Sequence, residues 1–233
     1  MLHIRDSRNS TITKTSFKNH FNLNDTFVVL AQGHSGDLWL MWTDEVDVTI
    51  LDHNHHFIFS LCINKMSMQQ YGLVCMYGDP RHRSTSIIWE NVLNFVVFNS
   101  NLPMFCMGDF NELMHANEKL GPNYADVNRI HEFCMYVKQC RFIDLDYSGP
   151  TYTWTNKRFS SVPTYERLDR CLGNAEWSLT YPAIIIYHLP MMYSDHAPML
   201  VVLNMQRPRT NKPFRFKNWW LMEQEYHDIA KQS

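Results

Sequence analysis

The chain has 233 residues, of which 45% are hydrophobic and 14% aromatic, and its formal net charge is −2. This composition is typical of a globular protein with one large core and excludes a mostly disordered chain. No run of 18 apolar residues is present, so we expect no membrane-spanning helix and no membrane partner. The near-neutral charge gives no general sign of nucleic-acid binding.

The N-terminus and the cysteines indicate the compartment. The first residues lack the apolar core of a secretory signal, so we expect a protein that is not secreted. The six cysteines form neither a C-x-x-C pair nor a zinc-binding spacing, which is typical of a reducing compartment. We therefore expect a nuclear or cytoplasmic protein, and no feature predicts an obligate protein partner.

The apolar pattern predicts many strands and two or three helices. Residues 1–26 are polar and weakly patterned, whereas helical spacing appears in 84–99 and 130–137. Strand patterns appear, in chain order, at 27–30, 38–42, 46–50, 57–63, 73–77, 103–107, 151–155, 165–172, 184–189 and 198–203. Because strands and helices do not alternate regularly, we predict an α+β fold with two packed sheets and helices outside them.

A histidine-rich tip joins two of these strands. His53, His55 and His56 lie between the alternating segments 46–50 and 57–63, which predicts a hairpin. Three histidines invite a metal-site interpretation, but no cysteine or carboxylate partner is identified for them. We therefore interpret them as a solvated turn.

Three short polar clusters lie against apolar strands. They are Gly-Asp-Phe-Asn at 108–111, Arg-Leu-Asp at 167–169 and Ser-Asp-His at 194–196. Together they supply carboxylates, an amide, and a histidine with a separate aspartate to orient it. These groups are the ones needed to hydrolyse a phosphodiester with a divalent metal ion.

Asp109 and Asn111 are separated by one residue, so in an extended turn both side chains point the same way. A carboxylate that activates water beside an amide that donates to a phosphate oxygen suits attack on phosphorus. The competing interpretation is a turn in which both side chains bond to nearby backbone. Taken alone, the second interpretation is the commoner one.

Asp169 has two possible partners in this sequence. An ion pair with Arg167 or Arg170 is the simpler explanation of a charged residue in an apolar strand. The alternative is that Asp169 accepts a hydrogen bond from His196 and fixes its tautomer. The neighbouring Asp195 and His196 could likewise form a purely structural pair.

The order of these clusters resembles the endonuclease/exonuclease/phosphatase superfamily, which has the DNase I-like fold, and within it the endonuclease domain of plant non-LTR retrotransposons. The resemblance spans about residues 27–220, and 214–220 resembles the connector toward a reverse transcriptase. The matching segments are 33–38, 77–80, 107–112, 148–156, 166–170 and 194–198.

The resemblance implies a four-layer α/β/β/α sandwich and a phosphodiesterase that depends on Mg²⁺ or Mn²⁺. Asp109 and Asp195 would belong to the metal environment. DNA is the implied ancestral substrate, because in retrotransposons this site nicks the target to prime reverse transcription.

Catalytic roles are implied residue by residue. Tyr77 would contact the scissile phosphate, and Asn111 would hold a phosphate oxygen. Asp109 would orient or deprotonate the attacking water. His196, oriented by Asp169, would stabilise charge that develops on the phosphate.

One part of the family pattern is missing. Relatives begin with a strand carrying Trp-Asn, then a helix and a strand ending in a metal-binding Glu, whereas here the first Glu is Glu45, beyond the glycine turn at 33–36. The sequence thus predicts a fold lacking the first strand–helix–strand. Because hard cations are held mainly by charged oxygens, it also predicts weak or absent catalysis.

The resemblance divides the chain into three parts. We predict a remnant of the N-terminal segment at 1–26, the catalytic domain at 27–205, and a basic connector at 206–233. Five basic residues and no acid lie within 207–217, which fits either a phosphate-contacting tail or a solvated linker. The alternatives to a weakened DNA endonuclease are a catalytically silent mobile-element fragment that at most binds nucleic acid, and a small-molecule phosphatase of the same superfamily.

Overall fold

The computed structural model describes residues 3–7, 23–30, 37–158, 162–192 and 194–203, with the backbone alone for 3–7. The helices are α1 (Thr85–Phe98), α2 (Val127–Gln139) and α3 (Ala175–Thr180), and Ala116–Glu118 forms a 3₁₀ turn. The strands are β1 (His3–Ser7), β2 (Asp25–Val29), β3 (Asp37–Trp42), β4 (Val46–Asn54), β5 (Phe57–Asn64), β6 (Gln70–Tyr77), β7 (Met104–Asp109), β8 (Lys119–Leu120), β9 (Ile143–Asp144), β10 (Tyr147–Ser148), β11 (Trp154–Thr155), β12 (Tyr165–Glu166), β13 (Asp169–Gly173), β14 (Ile185–His188) and β15 (Met199–Val202).

A six-stranded sheet in the order β4-β5-β6-β7-β13-β9 forms the centre of the fold. Its neighbouring strands are antiparallel except β6 and β7, which are parallel and are joined through α1. A parallel pair needs such a crossover, because a tight turn reverses the chain direction. The register places Asp109 opposite Tyr77 on one side and opposite Asp169 on the other. The ends of three strands therefore meet at one edge.

The two longer helices cover one face of this sheet. α1 buries Ile88, Val92 and Phe95, which are spaced three and four residues apart and so lie on one stripe. α2 begins at its N-cap Asp126, whose carboxylate accepts hydrogen bonds from two backbone N–H groups of the first turn. The helices predicted from 84–99 and 130–137 are confirmed by these two elements.

Two three-stranded sheets cover the other face, in the orders β1-β3-β2 and β10-β14-β15. Leu38, Leu40 and Ile186 of these sheets belong to one buried cluster with residues of β5, β6, β7 and β13. Trp39 and Met41 point away from that cluster and pack with Leu23. The described residues thus form helix, sheet and sheet layers of an α+β fold, as predicted. The four-layer count and the missing first strand stay predictions.

Two predicted strands are shorter than expected. The segment 151–155 is a strand only at Trp154–Thr155, and 165–172 is interrupted between Glu166 and Asp169. The interruption arises where the backbone N–H groups of residues 168 and 169 turn to the hydroxyl of Thr153 instead of a strand partner.

The segment 1–26 contains more regular structure than its polar pattern predicts. β1 at His3–Ser7 pairs antiparallel with β3, and β2 begins at Asp25. The boundaries proposed at residues 27 and 206 stay predictions. Three segments singled out above lie outside the described residues: 33–36, 207–217 and 214–220.

The solvated-turn interpretation is wrong for His56. Its residue exposure is 8%, and its Nδ1 lies 3.0 Å from the Tyr77 carbonyl oxygen, to which it donates. Burial lowers the pKa of His56, although that hydrogen bond opposes the effect. His56 therefore joins the β4–β5 hairpin to the end of β6.

Two further features of the fold concern membrane-spanning helices and the cysteines. Among the described helices, none has the length and apolar character needed to span a membrane. All six cysteines are free, and five of them are buried. Burial raises the pKa of the Cys62 thiol to about 11 and that of Cys140 to about 12, which keeps both thiols neutral at physiological pH.

Candidate active site

The turn that follows β7 carries two of the predicted site residues. Gly108 has a φ of +146°, and a Cβ there would lie 2.0 Å from the carbonyl oxygen of Met76, so only glycine fits. Phe110 is buried and packs between the rings of Trp89 and Phe133, at centroid distances of 6.0 and 5.6 Å. The turn is therefore anchored in the helix-covered core while its polar residues remain at the sheet edge.

Asn111 holds the carboxylate of Asp109. Its φ is +53°, in the left-handed region that Asn tolerates better than most residues. The Asn111 backbone N–H donates to Asp109 Oδ1 over 2.9 Å, and Nδ2 donates to Asp109 Oδ2 over 3.2 Å and to the Gly78 carbonyl over 2.9 Å. Both amide hydrogens of Asn111 are thus used within the protein, and a phosphate oxygen would have to replace one of these acceptors.

His196 lies between two carboxylates. Its Nδ1 donates to Asp169 Oδ2 over 2.9 Å, and its Nε2 lies 3.8 Å from Asp109 Oδ2. Asp169 and Arg170 are consecutive in β13, so their side chains point to opposite faces of the sheet. Of the partners considered from the sequence, Asp169 therefore has His196 and not the neighbouring arginine.

The charge on His196 follows from these neighbours. Burial by itself disfavours the imidazolium, but Asp169, Asp109 and Asp195 together raise the pKa of His196 to about 9. The ring is therefore protonated at neutral pH. A protonated Nε2 is a hydrogen-bond donor that faces the Asp109 side of the site.

Thr153 is a positioning residue that the sequence did not indicate. Its buried hydroxyl accepts hydrogen bonds from the backbone N–H groups of Leu168 and Asp169, over 3.0 and 2.9 Å. Its carbonyl accepts from the N–H of Ala197 over 2.7 Å. One residue thus joins the segment that carries Asp169 to the one that carries His196. Thr151, Thr153 and Thr155 alternate with aromatic residues in this segment, and nothing in the sequence distinguishes Thr153 from the other two.

Tyr77 is brought to the site but is almost fully buried. It lies opposite Asp109 in the parallel register, and its exposed fraction is 1%. A contact of Tyr77 with a substrate stays a prediction. Its backbone N–H also donates to the His56 carbonyl, which fixes the end of β6.

The carboxylates suit a hard divalent cation better than the histidine does. Ligand atoms of Asp109, Asp169 and His196 lie within 4.8 Å of one another. A protonated imidazole cannot coordinate a metal, and Asp169 Oδ2 already accepts from it. Asp195 is half-buried beside His196, and its charge acts on that ring. That Asp109 and Asp195 are the oxygen donors for Mg²⁺ or Mn²⁺ stays a prediction.

A cavity of about 210 Å³ opens beside the turn that follows β7. Its lining includes the predicted site residue Asn111 and Leu168, which precedes Asp169, together with Lys119, Tyr124 and Arg129. Lys119 and Arg129 are each paired with a glutamate of the lining, at 2.6 and 3.1 Å. Both cations of the lining are therefore neutralised, and Asp126 adds a further carboxylate.

Several solved structures share this fold. The endonuclease domain of TRAS1, a telomere-specific non-LTR retrotransposon, aligns with a TM-score of 0.63 at 14% identity, covering 78% of this chain and 81% of that domain. An AP endonuclease from Leishmania major aligns at 0.60 and 13% identity, covering 75% of this chain and 68% of the other. An endonuclease/exonuclease/phosphatase family protein from Bacteroides thetaiotaomicron aligns at 0.53 and 15% identity, covering 80% and 77%.

Comparisons of the amino-acid sequence gave no match. No protein-family model matches the chain, and no curated protein matches it. The structural matches confirm the DNase I-like fold that the motif order predicted.

Proposed function

We propose that this chain is a divalent-metal-dependent phosphodiesterase of the DNA endonuclease type, with weakened activity. The observation that carries the proposal is the contact chain from Asp169 through the protonated His196 to Asp109, at 2.9 and 3.8 Å. A cation and a carboxylate side by side can act on the two reacting groups of phosphodiester hydrolysis, the phosphoryl oxygens and the attacking water. The likeness to endonuclease folds supports the same reaction class.

Each site residue then has a role in the reaction. Asp109 orients the attacking water and accepts its proton. Asn111 holds the Asp109 carboxylate through its backbone N–H, and its side-chain amide donates one hydrogen bond to a phosphoryl oxygen in place of a present acceptor. His196 donates from Nε2 to the phosphoryl oxygen on which negative charge develops, and Asp169 keeps its ring oriented and charged. Tyr77 touches the scissile phosphate through its hydroxyl.

Mg²⁺ or Mn²⁺ fits the carboxylates of Asp109 and Asp195 and, when bound, supplies Lewis-acid stabilisation of the phosphate charge. Among the described residues, the cluster around His196 contains aspartates and no glutamate. Two carboxylates hold such a cation less tightly than three, because charged oxygens provide most of the affinity. Weak metal binding is the reason we propose weakened activity.

Plasmid nicking tests this function. Purified chain incubated with supercoiled DNA and saturating Mn²⁺ should slowly produce open circles, and chelation should stop the reaction. Asp109→Ala should slow nicking by at least ~100-fold, the low end of the effect of losing a catalytic base. Asp47→Ala is the matched control, since Asp47 is an exposed aspartate at the opposite end of the sheet.

Two other results would contradict the proposed activity and favour another function. Absence of nicking at any metal concentration, from folded protein, would contradict the activity and favour a silent chain that at most binds nucleic acid. Release of inorganic phosphate from sugar or lipid monoesters without plasmid nicking would favour a small-molecule phosphatase.

A further inference from the structure

Residues 79–84 form the loop between β6 and α1, and this loop begins next to the turn that follows β7. Gly78, which precedes it, donates its N–H to the Asp109 carbonyl over 2.7 Å and accepts from the Asn111 amide. The loop then leads into α1, whose first turn contains no acidic residue. The N-terminus of that helix adds a partial positive charge at this place.

The first fixed point of the loop is Asp79. Its carboxylate accepts hydrogen bonds from the backbone N–H groups of Arg81, Arg83 and Ser84, at 2.8, 2.8 and 2.9 Å. Burial by itself raises the pKa of Asp79, but these donors outweigh it and hold the pKa below its ordinary value. The carboxylate thus remains charged and folds the loop around itself.

The second fixed point is His82. Its Nδ1 lies 2.7 Å from Oε1 of the buried Glu112, one residue beyond the catalytic Asn111. His82 has a φ of +57°, an uncommon conformation for a residue with a Cβ, and its retention indicates that the surrounding contacts determine it. Because His82 is held inward, the residues on both sides of it have fixed backbone positions next to the site.

Those flanking residues are Arg81 and Arg83, and both are exposed. Neither guanidinium group is paired with a carboxylate within the part of the chain that the structure describes. Two other cations beside the site, Arg129 and Lys119, are each bound to a glutamate and so contribute little net charge. Arg81 and Arg83 therefore place unneutralised positive charge beside the turn that follows β7.

We propose that Arg81 and Arg83 form a binding site for backbone phosphates of duplex DNA, flanking the scissile phosphate. The inference rests on the proposed function, because it takes the substrate to be a nucleic acid. Guanidinium groups match phosphate oxygens geometrically, and a rigid loop loses little conformational entropy on binding. Contacts of this kind position the duplex and do not read its sequence.

The test is the salt dependence of DNA binding, measured by fluorescence anisotropy with a labelled duplex and the full chain in chelator. No cleavage occurs under these conditions, so the result is independent of the nicking assay. Each phosphate contact contributes about 0.9 to the slope of log K against log salt. Arg81→Gln/Arg83→Gln should therefore lower the magnitude of that slope by about 2 and weaken binding equally for unrelated sequences.

Two control variants complete the experiment. Arg81→Lys/Arg83→Lys keeps the charges and should keep most of the slope. Arg141→Asn removes an exposed arginine at the opposite end of the sheet, beyond α2, at a left-handed position that Asn tolerates, and should change nothing. An unchanged slope in the double Gln variant, with its folding verified by circular dichroism, would overturn the inference, as would an absence of duplex binding by the parent chain. A reduced slope without any nicking would support the binding site while contradicting the proposed activity.

Discussion

Arg170→Met should lower the free energy of unfolding by about 3–5 kcal/mol, the cost of leaving a buried charge unpaired. The Arg170 side chain is fully buried, and its guanidinium donates to both oxygens of Glu118, at 3.2 and 2.8 Å, and to Asp144 at 3.2 Å. Arg167 supplies the second cation of this network. Methionine fills a similar volume but leaves Glu118 and Asp144 with one cation between them. Urea unfolding monitored by circular dichroism measures the change.

The pH dependence gives a second measure of the same network. Burial alone would raise the pKa of Glu118, but Arg170 and Arg167 lower it to about 2 from its ordinary 4.5. This pKa is depressed in the folded state, so its stabilisation is present above about pH 4.5 and is lost as pH falls toward 2. The variant should lose part of that dependence. A destabilisation below about 1 kcal/mol, similar to that of an ordinary surface substitution, would contradict the prediction.

His196→Gln should remove about 3 kcal/mol of stability at pH 6 and almost none at pH 10. The pKa of His196 is raised to about 9 from 6.5, chiefly by Asp169, against the opposing effect of burial. A raised folded-state pKa stabilises fully below the unfolded value of 6.5, and the contribution is lost as pH rises through about 9. The measurement is a series of urea unfolding curves across this range in the presence of chelator.

Two variants separate the ion pair from the loss of a side chain. Asp169→Asn should remove most of the same pH-dependent stability, because it takes away the hydrogen-bonded partner at 2.9 Å. His131→Gln replaces an exposed histidine on α2 and should leave the curve of stability against pH unchanged. Equal destabilisation by His196→Gln at pH 6 and pH 10 would show that the ring acts by packing alone.

Local patterns predicted the elements that frame the site. The α1 stripe and the apolar run that ends at Asp109 follow from periodicity and glycine placement, and both appear in the structure. The pairing of Asp169 with His196 was one of two alternatives in the sequence. Strand alternation decides it, since it directs Arg170 to the other face of β13.

Contacts between distant segments could not be predicted in this way. The partners of Arg170 come from the 3₁₀ turn and from β9, which no local pattern brings to β13. The Gly78 acceptor of the Asn111 amide depends on the parallel register of β6 and β7, and the inward turn of His56 depends on the antiparallel pairing of β5 with β6. Such contacts are set by tertiary packing, on which local sequence patterns carry little information.

The order in which the site residues occur along the chain has a consequence for synthesis. Tyr77 and Asp109 become neighbours only after α1 has crossed between two parallel strands, and Asp169 pairs beside them later. His196, which reaches Asp169 and Asp109 from the segment before β15, leaves the ribosome last among them. A nascent chain therefore lacks the His196 contacts while its central sheet is forming, and these contacts arise only when the second layer closes over that sheet.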